Sequence, residues 1–350
     1  MRLLAAVFAV GLAPVVSAQA PLFASDDPLE ITLTFDVREV AGDRSDAPPW
    51  YPATLAYAEP GGGAVTLDLG VRTRGFFRLH RAGCRLPPLR LNIREREAGG
   101  TLFEGQDKLK LVTHCRDRDA YEQRVVQEHL LYRAYGLLTD VSFRTRLARI
   151  TYRDATGRRD DVTRYGFLIE DDERLAERLG GQIVKGPRIH PEATDRDQMT
   201  LLSVFHYMVG NTDWGVSRLQ NIRLVHRQAV ADSLTRSGSL DGSESALVAV
   251  PYDFDWSGLV DAPYAAPDPQ LGIRTVRDRK FLGFCRDASE IGVVLSRLRA
   301  REQDLYGLFT DSPHLDPDVA EESVEYLRSF FERVATDRGV DRAFGDCQGS

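Results

Sequence analysis

Lysine is scarce in this chain. Of its 45 basic residues only four are lysines, Lys108, Lys110, Lys185 and Lys280, so chemistry that needs a lysine has few candidates. After the first twenty residues no stretch approaches the roughly 18 uninterrupted apolar residues of a membrane-spanning helix. The chain also lacks a clustered basic face. Its formal net charge is −7, which leaves no electrostatic footprint for nucleic acid. The motifs G-x-S-x-G, H-E-x-x-H and G-x-G-x-x-G are missing, as is any internal repeat. His114, His206 and His226 have no partner at metal-ligand spacing. The four cysteines are too widely spaced for a zinc site.

What is present suits a sizeable core, with 43% hydrophobic residues in 350. The N-terminus reads as an export signal. Arg2 is followed by the apolar run Leu3 to Val16, and Ala18-Gln19-Ala20 fits a small-x-small cleavage site. Residues 1–20 are therefore expected to be a signal peptide. The mature protein is expected to be extracytoplasmic, periplasmic or secreted, with no stable membrane insertion. A retained anchor is the alternative. In an oxidising compartment Cys84, Cys115, Cys285 and Cys347 allow two disulfides, in three pairings. Cys84–Cys115 is favoured because these residues flank short strand-like runs able to pair, which leaves Cys285–Cys347. Four buried thiols are the alternative.

Alternation of apolar residues predicts strands at 29–37, 54–59, 64–73, 88–93, 109–113, 146–152 and 163–169. A Gly-rich turn, Pro60 to Gly63, links the second and third of them. Apolar residues recurring at three and four predict a helix over 121–138 and another over 197–209. Strands at 222–225 and 247–251 bracket a Ser/Gly-rich insert, Ser233 to Ser245, expected to be a mobile extension. Helices are expected over 291–309 and 319–334. The order implies an α+β protein: residues 21–172 form a β-rich half with one long helix, and 173–350 a mainly helical half.

Three groups of residues carry chemistry. Gly210-Asn211-Thr212-Asp213-Trp214 closes the apolar helix, with Asn221 eight positions after Asp213. An Asp held there can take an acceptor's proton, and an Asn can give a metal an oxygen. A turn and helix terminus is the plainer reading. Tyr252-Asp253-Phe254-Asp255 follows a buried strand and brings two carboxylates together, which a divalent cation would relieve. A surface strand end would look the same. Lys108 and Lys110 share a strand face just before the helix that carries Glu128. A Lys110–Glu128 pair would grip phosphate, with Lys108 and Glu122 as substitutes, and solvated lysines are the alternative.

Together with Arg72-Thr73-Arg74-Gly75, Arg78 and Leu109-Lys110-Leu111, these motifs resemble in their order the CotH family of atypical kinases, and more distantly the HipA-type kinases. The resemblance spans roughly residues 65–260. It implies a two-lobed protein-kinase-like fold with a β-rich N-lobe and a mainly helical C-lobe. It also implies ATP with magnesium or manganese as cofactors, and phosphoryl transfer to a hydroxyl of an unknown protein substrate. By position, Asp213 would be catalytic. Asn221, Asp253 and Asp255 would hold the metal. Lys110, Glu128, Arg74 and Glu170 would bind the nucleotide, with Leu168–Glu170 at the adenine hinge. Two other functions remain open: a non-catalytic envelope or matrix interaction protein, and a metal-dependent hydrolase working through Asp213, Asp253 and Asp255.

Overall fold

Strict alternation of buried and outward residues organises the first half of the chain. The computed structural model describes residues 21–59, 62–186, 189–228, 230 and 245–347. Residues 1–20, with the expected signal and its cleavage site, lie outside the described residues. So do Pro60 and Gly61 of the expected turn, and the Ser233–Ser245 insert apart from Ser245.

Seven strands, β1 (Leu29–Phe35), β2 (Tyr51–Ala58), β3 (Ala64–Thr73), β4 (Leu89–Ile93), β5 (Lys108–Val112), β6 (Thr145–Asp154) and β7 (Val162–Ile169), form a closed barrel in the order β1-β2-β3-β4-β5-β7-β6. Neighbours pair antiparallel except at the seam, where β1 runs parallel to β6 from Leu29↔Ala148 to Phe35↔Asp154. Closure removes the exposed edges that an open sheet must protect. Leu33, Phe35, Leu55, Leu69, Leu91, Leu111 and Ile150 share the barrel core. Burying each such side chain contributes about 1.5–3 kcal/mol. Short helices α1 (Val37–Gly42), α2 (Phe76–His80) and α3 (Glu95–Ala98) interrupt the strand succession.

The period-2 side-chain alternation of β7 joins the barrel to the rest of the molecule. Leu168 belongs to the barrel core, whereas Phe167 and Ile169 pack with helix α4 (Asp119–Gly136). Val126, Leu131 and Tyr135 of α4 are buried in a core shared with the later helices. Those are α5 (Asp172–Arg178), α6 (Arg196–Val209), α7 (Ala288–Ala300), α8 (Glu302–Thr310), α9 (Pro317–Arg333) and α10 (Asp337–Phe344). Between α5 and α7 lies a three-stranded antiparallel sheet of β8 (Gly181–Ile183), β9 (Ile222–Arg227) and β10 (Leu247–Pro251), in the order β10-β9-β8.

The expected two-lobed kinase-like architecture is overturned. The N-terminal strands close into a barrel because β1 pairs on both sides, with β2 and with β6. The second half holds a sheet among its helices, so it is not a helical lobe. Local corrections accompany this one. Asp36 caps α1 by accepting from the Glu39 N–H, so β1 stops before Val37. The expected helix over 291–309 is two helices meeting at Arg301.

Both expected disulfides are present, Cys84–Cys115 and Cys285–Cys347. The first ties the segment after α2 to the end of β5, where Leu86 bridges to Cys115. The second ties the segment before α7 to the chain after α10. Both fit an oxidising compartment. Among the described residues no helix is long and apolar enough to cross a membrane.

Candidate functional site

The loop after α6 is built around Asp213. Helix α6 ends at Gly210, whose φ of 67° is left-handed and where a Cβ would meet the Tyr326 hydroxyl at 2.1 Å. Only glycine fits. Asn211 is buried and accepts the Asp213 N–H at 2.9 Å. The Asn221 side-chain amide donates to the Asp213 carbonyl at 2.7 Å and to its carboxylate at 2.8 Å. Gln220 donates to the other carboxylate oxygen. Burial, followed by the charge of Asp253, raises the Asp213 carboxyl above its usual range despite these donors.

The small sheet brings the second motif alongside. Pro251 pairs with Ile222, and the Tyr252 N–H donates to the Asn221 carbonyl at 3.0 Å. Asn221 and Asp253 both adopt left-handed backbone, with φ of 50° and 63°. Such conformations cost non-glycine residues of order 1–3 kcal/mol. The Asp253 N–H donates to the Tyr132 hydroxyl of α4 at 2.8 Å. Phe254 is fully buried, packing edge-on against Tyr132 at 4.9 Å and Phe205 at 5.8 Å. It anchors the two carboxylates on either side of it.

Both carboxylates meet Arg78, on α2. The buried guanidinium lies 2.8 Å from Asp253, 3.4 Å from Asp255 and 3.8 Å from Glu128. Burial opposes the Arg78 charge, but the three carboxylates and Tyr264 outweigh it and hold the group well above its ordinary value. Asp255 also accepts from Tyr264 at 2.9 Å, and burial pushes its carboxyl up to about 7. Burial likewise pushes Glu128 well up, reinforced by Asp255 and Asp253 and partly offset by Arg78.

Lys110 and Glu128 do not pair. Lys110 is buried against Asp172 of α5, with Phe143 and Tyr252 ring centroids 5.0 and 5.8 Å from its ammonium. Burial lowers its pKa to about 8, against the pull of Asp172. Arg223 shares Asp172 at 2.9 Å and donates to the Tyr252 hydroxyl at 2.7 Å. Arg74 makes no ion pair among the described residues, although its charge reaches Lys110, Glu128 and Tyr252. Glu170 is placed elsewhere: Arg178 holds it at 2.8 Å and the Arg144 N–H donates to it at 3.2 Å.

Arg74, Arg78, Asp213, Gln220, Asn221, Asp253 and Asp255 line one cleft of about 320 Å³, together with the aromatic residues Phe76, Phe77 and Trp256. A larger hollow of about 530 Å³ between α7, α9 and α10 contains none of the motif residues. Arg78 belongs to the resembling motifs without a role of its own, and no sequence pattern marks Tyr132, Tyr264, Asp172 or Arg223 as site residues. The buried Glu128 signalled that a cation must approach it, but spacing does not say which one.

Among the described residues no three His, Cys, Asp or Glu side chains converge to hold a metal. Asp253 and the Asn221 side-chain oxygen are groups that suit magnesium, which keeps several of its waters and takes only one or two carboxylates. The like charges of Asp213 and Asp253, felt across the cleft, are what a cation would relieve. Asp255 fits this role less well than Asp253: both touch Arg78, but the Asp255 side chain is buried and also takes the Tyr264 hydroxyl, whereas that of Asp253 is partly exposed.

No protein-family model, no curated protein and no solved structure matches the chain.

Proposed function

We propose that the cleft binds a nucleoside triphosphate with magnesium or manganese and transfers its terminal phosphoryl group to a hydroxyl of a protein substrate. The observation that carries this reading is that Arg74, Asp213, Asn221 and Asp253, from three separate stretches of chain, line a single cleft. Phosphoryl transfer asks for these groups: a cation toward the phosphates, oxygens for a metal, and a carboxylate near the acceptor. Asp213 orients the acceptor hydroxyl and takes its proton. Asp253 and Asn221 hold the metal, which when bound neutralises phosphate charge. Arg74 faces the phosphates, with Lys110 and Arg223 behind it on Asp172. Arg78 positions Asp253 and Asp255 and does not touch substrate.

The motif order that resembles the CotH family supports the activity, and the activity is proposed here without that family's expected architecture. Two disulfides and the signal-like N-terminus support an extracytoplasmic location, periplasmic or secreted. Calorimetric titration of the purified protein with ATP and magnesium tests the reading. Saturable binding, lost in Asp253→Ala, is expected. No binding with either magnesium or manganese would sink it. Metal-dependent release from simple phosphoesters without nucleotide binding would assign hydrolysis instead.

A further inference from the structure

The expected adenine hinge at Leu168–Glu170 offers no room for a base. Strand β7 sits between β5 and β6, so its backbone groups are spent on both neighbours: Ile169 pairs with Lys110 on one side and with Thr145 on the other. Leu168 belongs to the barrel core, Ile169 to the helical core, and both Glu170 oxygens are engaged. A nucleotide in the cleft must place its base elsewhere.

Phe76 is 65% exposed, one of only two large apolar side chains so exposed among the described residues, and it lines the cleft. It follows Gly75, whose φ of 82° turns the chain into α2. Two residues on, Arg78 fixes α2 to the carboxylates of the floor. Phe77 and Trp256 meet edge-on at 4.8 Å, and both line the cleft with Pro88. The His80 ring lies 4.7 Å from the Phe76 ring, and the Arg81 guanidinium lies over it at 6.0 Å. The cleft lining thus combines exposed aromatic and charged side chains, which suits a ligand with a planar apolar part and an anionic part.

Resting on the nucleotide reading above, we propose that the nucleobase stacks on Phe76 at the cleft mouth while the phosphates run inward toward Arg74, Asn221 and Asp253. Stacking on an aromatic face tolerates any base, since each has a π-face. ATP and GTP therefore bind within a few-fold of each other, and both bind better than tripolyphosphate, which has no base.

The experiment compares magnesium-ATP with magnesium-tripolyphosphate by calorimetry in the wild type, Phe76→Ala and Phe76→Tyr. The exposed ring makes little of the core, so the alanine variant folds, and the tyrosine variant restores a stacking face. The expected result is that Phe76→Ala weakens ATP about tenfold, leaves tripolyphosphate within about twofold, and is rescued by Phe76→Tyr. The stacking proposal is overturned if ATP and tripolyphosphate bind the wild type equally, or if Phe76→Ala binds ATP as the wild type does. Either result leaves the phosphate end of the functional reading standing. Binding of neither ligand overturns both.

Discussion

The Arg78 guanidinium lies 2.8 Å from the Asp253 carboxylate, joining the helix after β3 to the turn after β10 across 175 residues of sequence. This one contact fixes the barrel side of the cleft to the side built by the small sheet. It also leaves one buried cation facing three carboxylates, with Glu128 and Asp255 as the others.

Removing that cation exposes the imbalance. Arg78→Ala should destabilise the protein by about 3–5 kcal/mol, because buried carboxylates lose their partner. Arg78→Lys should recover part of the loss. Urea unfolding of the three proteins checks this, and an alanine variant as stable as the wild type would contradict the contact network.

Asp213→Asn separates chemistry from binding. It keeps the side-chain shape and discards the base, so turnover should fall by roughly 10²–10⁴-fold. The dissociation constant for magnesium-ATP should stay within about threefold. Single-turnover assays alongside calorimetry read the two quantities independently.

Buried histidines should each withdraw stability in acid. Burial lowers His114 to about 4 and His129 to about 3, against an ordinary value of 6.5. Between those values the unfolded chain binds protons that the folded one refuses. The contribution of these two histidines is therefore complete above pH 6.5 and falls as pH drops toward 4, by up to ~3 kcal/mol for each group, while the raised carboxyl of Asp255 acts in the opposite sense. His129→Gln should flatten the fall between pH 6.5 and 4 relative to the wild type. Parallel pH profiles for the two proteins would disprove the assignment.

The two disulfides should differ in function more than in stability. They close loops of 31 and 62 residues, so each contributes ~4 kcal/mol in the chain-entropy view. Only Cys84–Cys115 lies next to α2. Replacing that pair by serine should lower ATP affinity as well as melting temperature. Replacing Cys285 and Cys347 should lower the melting temperature alone.

Much of the site was legible because local patterns carried it. The glycine ending α6, the Asn and Asp after it, and the acidic pair after an apolar run all announce themselves in sequence, and the sheet register brings Asn221 beside Tyr252. The partner of Glu128 was not legible. Lys110 precedes α4 closely in sequence, yet Asp172 captures it, while Arg78 comes from a five-residue helix that no periodicity reveals. The strands of the first half were read almost residue for residue, but barrel closure depends on β1 meeting β6, a register that no local window contains. The placement of Glu170 failed for the same reason: a strand end looks free until its neighbours on both sides are known.

The parallel seam also governs how the chain is made. Leu29 finds its mate only when Ala148 has been synthesised, so the barrel cannot close before most of its strands exist. Until the seam shuts, one flank of that strand is an unpaired edge of the kind that invites pairing with another chain.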